Sequence, residues 1–211
     1  MGGWSSATQY ARVPQPYRPT TGAALMLETP DKANAFLRGM YAVPMNDASA
    51  DFPALLVANE LLGSGDISRL FNRIREKEGL SYGVGSVLSP SVIDENSKFI
   101  FYAIFAPNVL PKVRTAFSEE IGRAVTDGYT SEEIEIGKRA LLQERQIERS
   151  DDGALASSLV TQAYVGRTWD FAAKTDAAIG ALTRDQVNAT LRKYVKPGDI
   201  AYAYAGDFAK K

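Results

Sequence analysis

The sequence predicts an α+β domain, a largely antiparallel mixed sheet packed by helices on one face. Three observations carry this. Apolar runs of strand length stand near both ends, at residues 23–28, 34–45 and 200–205. Two further strand-like runs, 81–89 and 97–106, are joined through Asp94-Glu95-Asn96 as a hairpin. Residues 109–194 show helical spacing and contain two capping boxes. Strands and helices come in blocks and do not alternate, which is the α+β pattern.

The elements follow in order. Residues 1–20 are rich in Gly, Ser, Pro and Thr, with Pro14, Pro16 and Pro19, and read as an extended arm or linker. Residues 21–211 read as one domain, without repeat or second boundary. Asp51 opens a helix with Leu55, Ala58, Leu61 and Leu62 at helical spacing, and Gly63-Ser64-Gly65 breaks it. Ser68 is placed to cap the next helix, which Gly79 ends. Residues 97–105 turn apolar on both faces after their first two positions, which predicts a covered central strand. Val113, Phe117, Ile121 and Ala124 form one stripe of a helix over 109–126. Thr130 with Glu133 opens a helix to about Arg149, and Asp151 or Asp152 caps another through Tyr164. Residues 170–180 continue as helix. Thr183 with Gln186 opens a last helix, which Pro197-Gly198-Asp199 ends.

Composition excludes several functions. The chain has 211 residues, 45% hydrophobic and 23% charged, which suits a globular core. A net charge of −1, from 24 basic and 25 acidic residues, gives no electrostatic case for nucleic acid or an anionic membrane. No apolar run reaches the roughly 20 residues of a membrane span. The start, Met1-Gly2-Gly3-Trp4-Ser5, shows no signal-peptide pattern. There is no cysteine and no histidine. That removes disulfides, a thiol nucleophile, imidazole general bases and the usual ligands of catalytic zinc. No catalytic residue and no metal ligand is therefore assigned.

The most informative segment is Ser68-Arg69-Leu70-Phe71 through Arg75 to Tyr82-Gly83. It is a basic helix closed by Gly79, with a strand directly behind. It resembles a signature of the non-catalytic half of the pitrilysin/insulinase zinc peptidases, the inverzincins. The likeness extends over nearly the whole chain. The helix from Asp51 to Leu62 before Gly63, Asp127-Gly128 before the Thr130 box, and Ala205-Gly206-Asp207-Phe208 are similar to family features. The resemblance implies two such domains per half and two halves around a peptide, with the H-x-x-E-H zinc motif in one half. This chain has no such motif and is about half the length of a half. The resemblance thus implies a C-terminal domain beside an N-terminal companion domain, with zinc on a separate catalytic half.

The same resemblance implies that Arg75 and Tyr82, seven positions apart, reach toward the bound peptide. A guanidinium can grip a carboxylate or carbonyls through parallel hydrogen bonds, and a phenol adds one movable donor. Spacing alone leaves a plainer alternative, a solvated helix arginine near Glu78 and an amphipathic strand tyrosine. Other candidates read as structure. Gly63-Ser64-Gly65-Asp66 lacks the Lys-Ser/Thr of a phosphate loop. Asp151-Asp152 suits a helix N-cap better than a cation site. Glu132, Glu133 and Glu135 favour a helix N-terminus. Arg139, Arg145 and Arg149 read as a solvated face balanced by Glu144 and Glu148. The expected function is an inactive peptidase domain that helps enclose and position peptide, with a structural scaffold of the same fold as the alternative. The family resemblance points to the bacterial periplasm.

Overall fold

The computed structural model describes Gly3 and residues 6–209. The expectation drawn from Met1–Ser5 lies outside the described residues except at Gly3. A five-stranded sheet runs in the order β1-β5-β2-β4-β3. The strands are β1 Ala23–Glu28, β2 Ala35–Val43, β3 Ser81–Ser89, β4 Ser97–Phe105 and β5 Ala201–Gly206. β1 and β5 are parallel and the other pairs antiparallel, so the sheet is mixed.

Alternation decides which face is packed. In β2 the residues Leu37, Tyr41 and Val43 point inward, and β4 sets Phe99, Phe101, Ala103 and Phe105 on the same side, with Tyr41 opposite Phe99. Tyr41 stacks on Phe99 with centroids 5.7 Å apart, and Phe99 on Phe101 at 5.1 Å. Phe117 meets Phe101 edge-on from helix α2, Leu110–Asp127. The expected stripe Val113, Phe117, Ile121 and Ala124 is buried.

The other face corrects the expectation for β4, which is central but covered on one side only. Phe36, Met40, Val87 and Ile104 on that outer face are 37–44% exposed, and Leu25 and Leu27 of β1 are open beside them. Local sequence cannot say whether a second layer exists, because an apolar residue facing a missing layer reads like one facing a present layer.

Helices α1 Phe52–Asn59, α3 Ser131–Glu148, α5 Asp170–Ala181 and α6 Arg184–Tyr194 complete the packed layer, while α4 Asp152–Tyr164 buries no residue. The capping boxes at Thr130/Glu133 and Thr183/Gln186 form as expected, and Asp151 caps α4 through the Ala154 N–H. Ser68 does not cap. Its hydroxyl is buried without a hydrogen-bond partner among the described residues. Arg145 and Arg149 are not a solvated face either, since both pair with Asp176 of α5.

Gly128 joins α2 to α3 at φ +73° and ψ −165°, a region open essentially to glycine. A Cβ there would stand 2.7–2.9 Å from the side-chain amide of Asn188. That amide is buried and holds both the N–H and the carbonyl of Tyr129, at 2.8 and 2.9 Å. Gly128→Ala is expected to destabilise the chain by about 3 kcal/mol. Gly180→Ala, in an open position of α5, should instead stabilise it by about 0.5–1 kcal/mol. Urea unfolding midpoints check both; equal shifts would contradict the backbone account.

Candidate functional site

The two candidate residues stand where the basic helix runs into the edge strand β3. The helix runs as a π-helical segment, Phe71–Lys77. Its wider turn shows at its end, where the Glu78 N–H donates to the Arg73 carbonyl five residues back. Gly79, at φ +60°, then reverses the chain, and the Leu80 N–H closes onto the Ile74 carbonyl at 2.8 Å. Leu80 is buried and fixes the turn between the two predicted site residues.

Three arginines of this region take different tasks. Arg69 donates to Glu133 and to the Gly128 carbonyl and lies over the Tyr129 ring. Arg73 joins Glu78, Glu119 and Glu120 at 2.5–3.0 Å. Both tie the helix to the α2–α3 corner. Glu78 therefore belongs to Arg73, and the expected neighbourhood of Arg75 and Glu78 is corrected. The π spacing accounts for this, since it brings residues five apart into line. Arg75 points elsewhere. Its guanidinium lies 4.9 Å from the Phe71 ring centroid, approaches Glu76 only to 3.8 Å, and the side chain is half exposed. The cation is held over an aromatic face with its donors open.

Tyr82 sits in a β-bulge. Ser81 pairs with Phe105 and Gly83 with Ile104, so Tyr82 has no partner in β4. Ser81 Oγ locks the irregularity, donating to the Ile104 carbonyl at 2.7 Å and accepting from the Gly83 N–H. Tyr82 is 76% exposed. Arg75 and Tyr82 thus stand on either side of the Gly79-Leu80 turn, with no hydrogen bond between them.

Glu60 was not singled out by sequence reasoning. It follows α1, at the start of a π-helical turn, Glu60–Ser64, and is 4% exposed. The available signal was a carboxylate inside the apolar run Leu55 to Leu62. Burial, then Glu144 and Asp66, push its carboxyl up to about 7 from 4.5. The unfolded chain loses this proton near pH 4.5, whereas the folded chain keeps it to about 7. The associated stability is full below the lower value and is lost as pH rises through the upper one. Glu60→Gln is expected to be nearly neutral at pH 5 and to stabilise by roughly 2 kcal/mol at pH 8. Thermal melts at the two pH values test this, and an equal effect at both would contradict it.

Zinc does not fit this chain. The sequence offers no His or Cys, and among the described residues no three acidic side chains gather as a metal site. Among the described residues no helix is long and apolar enough to cross a membrane.

The profile of the Peptidase M16 inactive domain matches residues 1–141. The chain belongs to this family, the pitrilysin/insulinase zinc peptidases, and to its inactive-domain class. An uncharacterized zinc protease of Mycobacterium leprae is 36% identical over 88 residues, 42% of this chain and 19% of that protein. The peptidase M16 inactive domain from Pseudomonas fluorescens superposes with a TM-score of 0.81 at 20% identity, covering 93% of this chain and 46% of that one. The periplasmic protease PqqL from Escherichia coli gives 0.71 at 17% identity, covering 97% and 22%. In all three the chain spans less than half of the other protein's length.

Proposed function

We propose that this chain helps a zinc metallopeptidase enclose and position a peptide, with Arg75 and Tyr82 as its substrate contacts. The carrying observation is the division of labour on the basic helix. Arg69 and Arg73 are spent on anchoring, while Arg75 stands open beside a bulge that turns Tyr82 to solvent. β3 is an edge strand, so the backbone beside Tyr82 has a side without a strand partner. Arg75 grips a carboxylate or carbonyls of an extended peptide, and the Tyr82 hydroxyl donates to a neighbouring oxygen. The metal chemistry belongs to another domain or subunit.

Two apolar surfaces support a companion domain. One is the open sheet face around Phe36, Met40 and Ile104. The other is α4 with its approach, where Ile147, Leu159, Val160 and Tyr164 are 47–69% exposed. Such patches mark contact surfaces. The periplasmic description of the Escherichia coli neighbour supports the same compartment here.

Tyr82→Phe is expected to lower kcat/KM of the assembled peptidase roughly tenfold through loss of one donor. Assembly and melting temperature should not change. An unaltered kcat/KM would favour a scaffold role.

A further inference from the structure

A pocket of about 510 Å³ lies beside the π-helical turn, and Glu60, Asp66 and Glu144 stand in its wall with Ser64, Ile67 and Arg139. Glu60 is the unusual member. Its Oε2 is buried and has no hydrogen-bond partner among the described residues. Ser64 hydrogen-bonds the carboxyl, but the buried Oε2 is left without a partner, and once Glu60 ionises that oxygen is costly. Arg139 shares the wall, but no ion pair joins it to the three carboxylates among the described residues. Glu148, one turn beyond Glu144 on α3, adds further negative charge. The acidic groups surround a volume and do not meet at a point, and no three of them can hold a metal ion. That shape suits an organic cation on a flexible stem, whose N–H groups spread to several acceptors.

The position indicates where such a cation comes from. Ile67, in the pocket wall and 48% exposed, stands four residues before Phe71, and Arg75 lies over the Phe71 ring. From Arg69 to Arg75 the chain is helical and rises about 9 Å, with Ile67 and Ser68 in the turn just before it. An extended peptide covers that distance in three or four residues. We infer that the Glu60–Asp66–Glu144 pocket receives one lysine or arginine side chain of the peptide held at Arg75 and Tyr82, three or four residues from the point of grip. This rests on the peptide-positioning function proposed above. It adds a preference for a basic side chain that the pair alone does not supply, because Arg75 and Tyr82 address oxygen acceptors of the peptide.

The cation takes the place of a proton. Burial and the neighbouring acids hold Glu60 protonated toward neutral pH, so a lysine entering the pocket releases that proton. Affinity for a basic peptide should therefore rise between pH 6 and 8, while that of a neutral analogue stays level.

The test is competition binding to the assembled peptidase, using peptides that differ only by lysine or norleucine at successive positions. At one position lysine should bind about tenfold tighter than norleucine, with strong salt dependence. The double variant Glu60→Gln/Glu144→Gln should erase that preference and leave the norleucine peptide unaffected. Arg75→Ala should weaken both peptides alike. Equal binding of the two peptides at every position, or a preference that survives the double variant, would overturn the inference and leave the role of Arg75 and Tyr82 standing. A lysine preference that depends on Glu60 while Arg75→Ala weakens neither peptide would break the asserted link to that pair.

Discussion

Arg75→Ala is expected to reduce kcat/KM of the assembled peptidase by about 10²–10³, the largest functional effect of any single change in this chain. The guanidinium is a permanently charged donor fork, held over Phe71 at 4.9 Å and paired only loosely, at 3.8 Å, with the exposed Glu76 carboxylate. In the proposed role, its removal takes away both a positioning contact and positive charge near a peptide carbonyl. Arg75→Lys should restore only part of the loss, because an ammonium cannot make two parallel bonds. Stability should barely change, since the side chain is half exposed and its ring contact is worth about 0.5–1 kcal/mol. Zinc content should also remain the same. A variant with intact assembly and unchanged kcat/KM would remove Arg75 from the site.

Phe101→Ala should give the largest loss of stability, about 3–5 kcal/mol. Phe101 is fully buried on the central strand β4, stacked with Phe99 and met edge-on by Phe117 of α2. The loss combines the ring's transfer energy, the cavity left behind and aromatic pairing of about 0.5–1.5 kcal/mol per pair. For a domain of this size it should lower the melting temperature by about 10 °C. Phe36→Ala makes the informative comparison. Phe36 lies on the outer face and is 38% exposed, so in this chain alone its loss should cost under about 1 kcal/mol. In the assembled protein, with that face covered, the cost should rise. Equal effects for the two phenylalanines in the isolated chain would contradict the one-sided packing.

Much of this was legible because the chemistry is local. Thr130 with Glu133, Thr183 with Gln186, and Asp151 before Ala154 cap their helices through contacts within three residues, and Gly79 adopts the left-handed turn expected of it. Elements that depend on distant partners were less legible. Ser68 looks like a cap, but the helix behind it is π-wound, and Asn72 donates its side-chain amide to the Ile67 and Ser68 carbonyls. The same winding gives Glu78 to Arg73. β1 lies parallel to β5 across nearly the whole chain length, a pairing that no local pattern encodes. At the site, the identity of Arg75 and Tyr82 came from their family resemblance. What only the fold adds is the separation of Arg75 from Arg69 and Arg73, and the bulge that frees Tyr82. Glu60 was hidden for the opposite reason, because a single carboxylate in an apolar helix reads as an exposed position until Glu144 and Asp66 are placed beside it.

The most direct measurement is photo-crosslinking from position 82. Replacing Tyr82 with p-benzoylphenylalanine keeps an aromatic side chain at the bulge and makes it report on whatever lies within its reach. In the assembled peptidase, irradiation with a bound peptide should give an adduct at residue 82. Excess unlabelled peptide and Arg75→Ala should each suppress it. An absent adduct in an assembly that still binds peptide, or one that persists undiminished in Arg75→Ala, would contradict a peptide path between Arg75 and Tyr82.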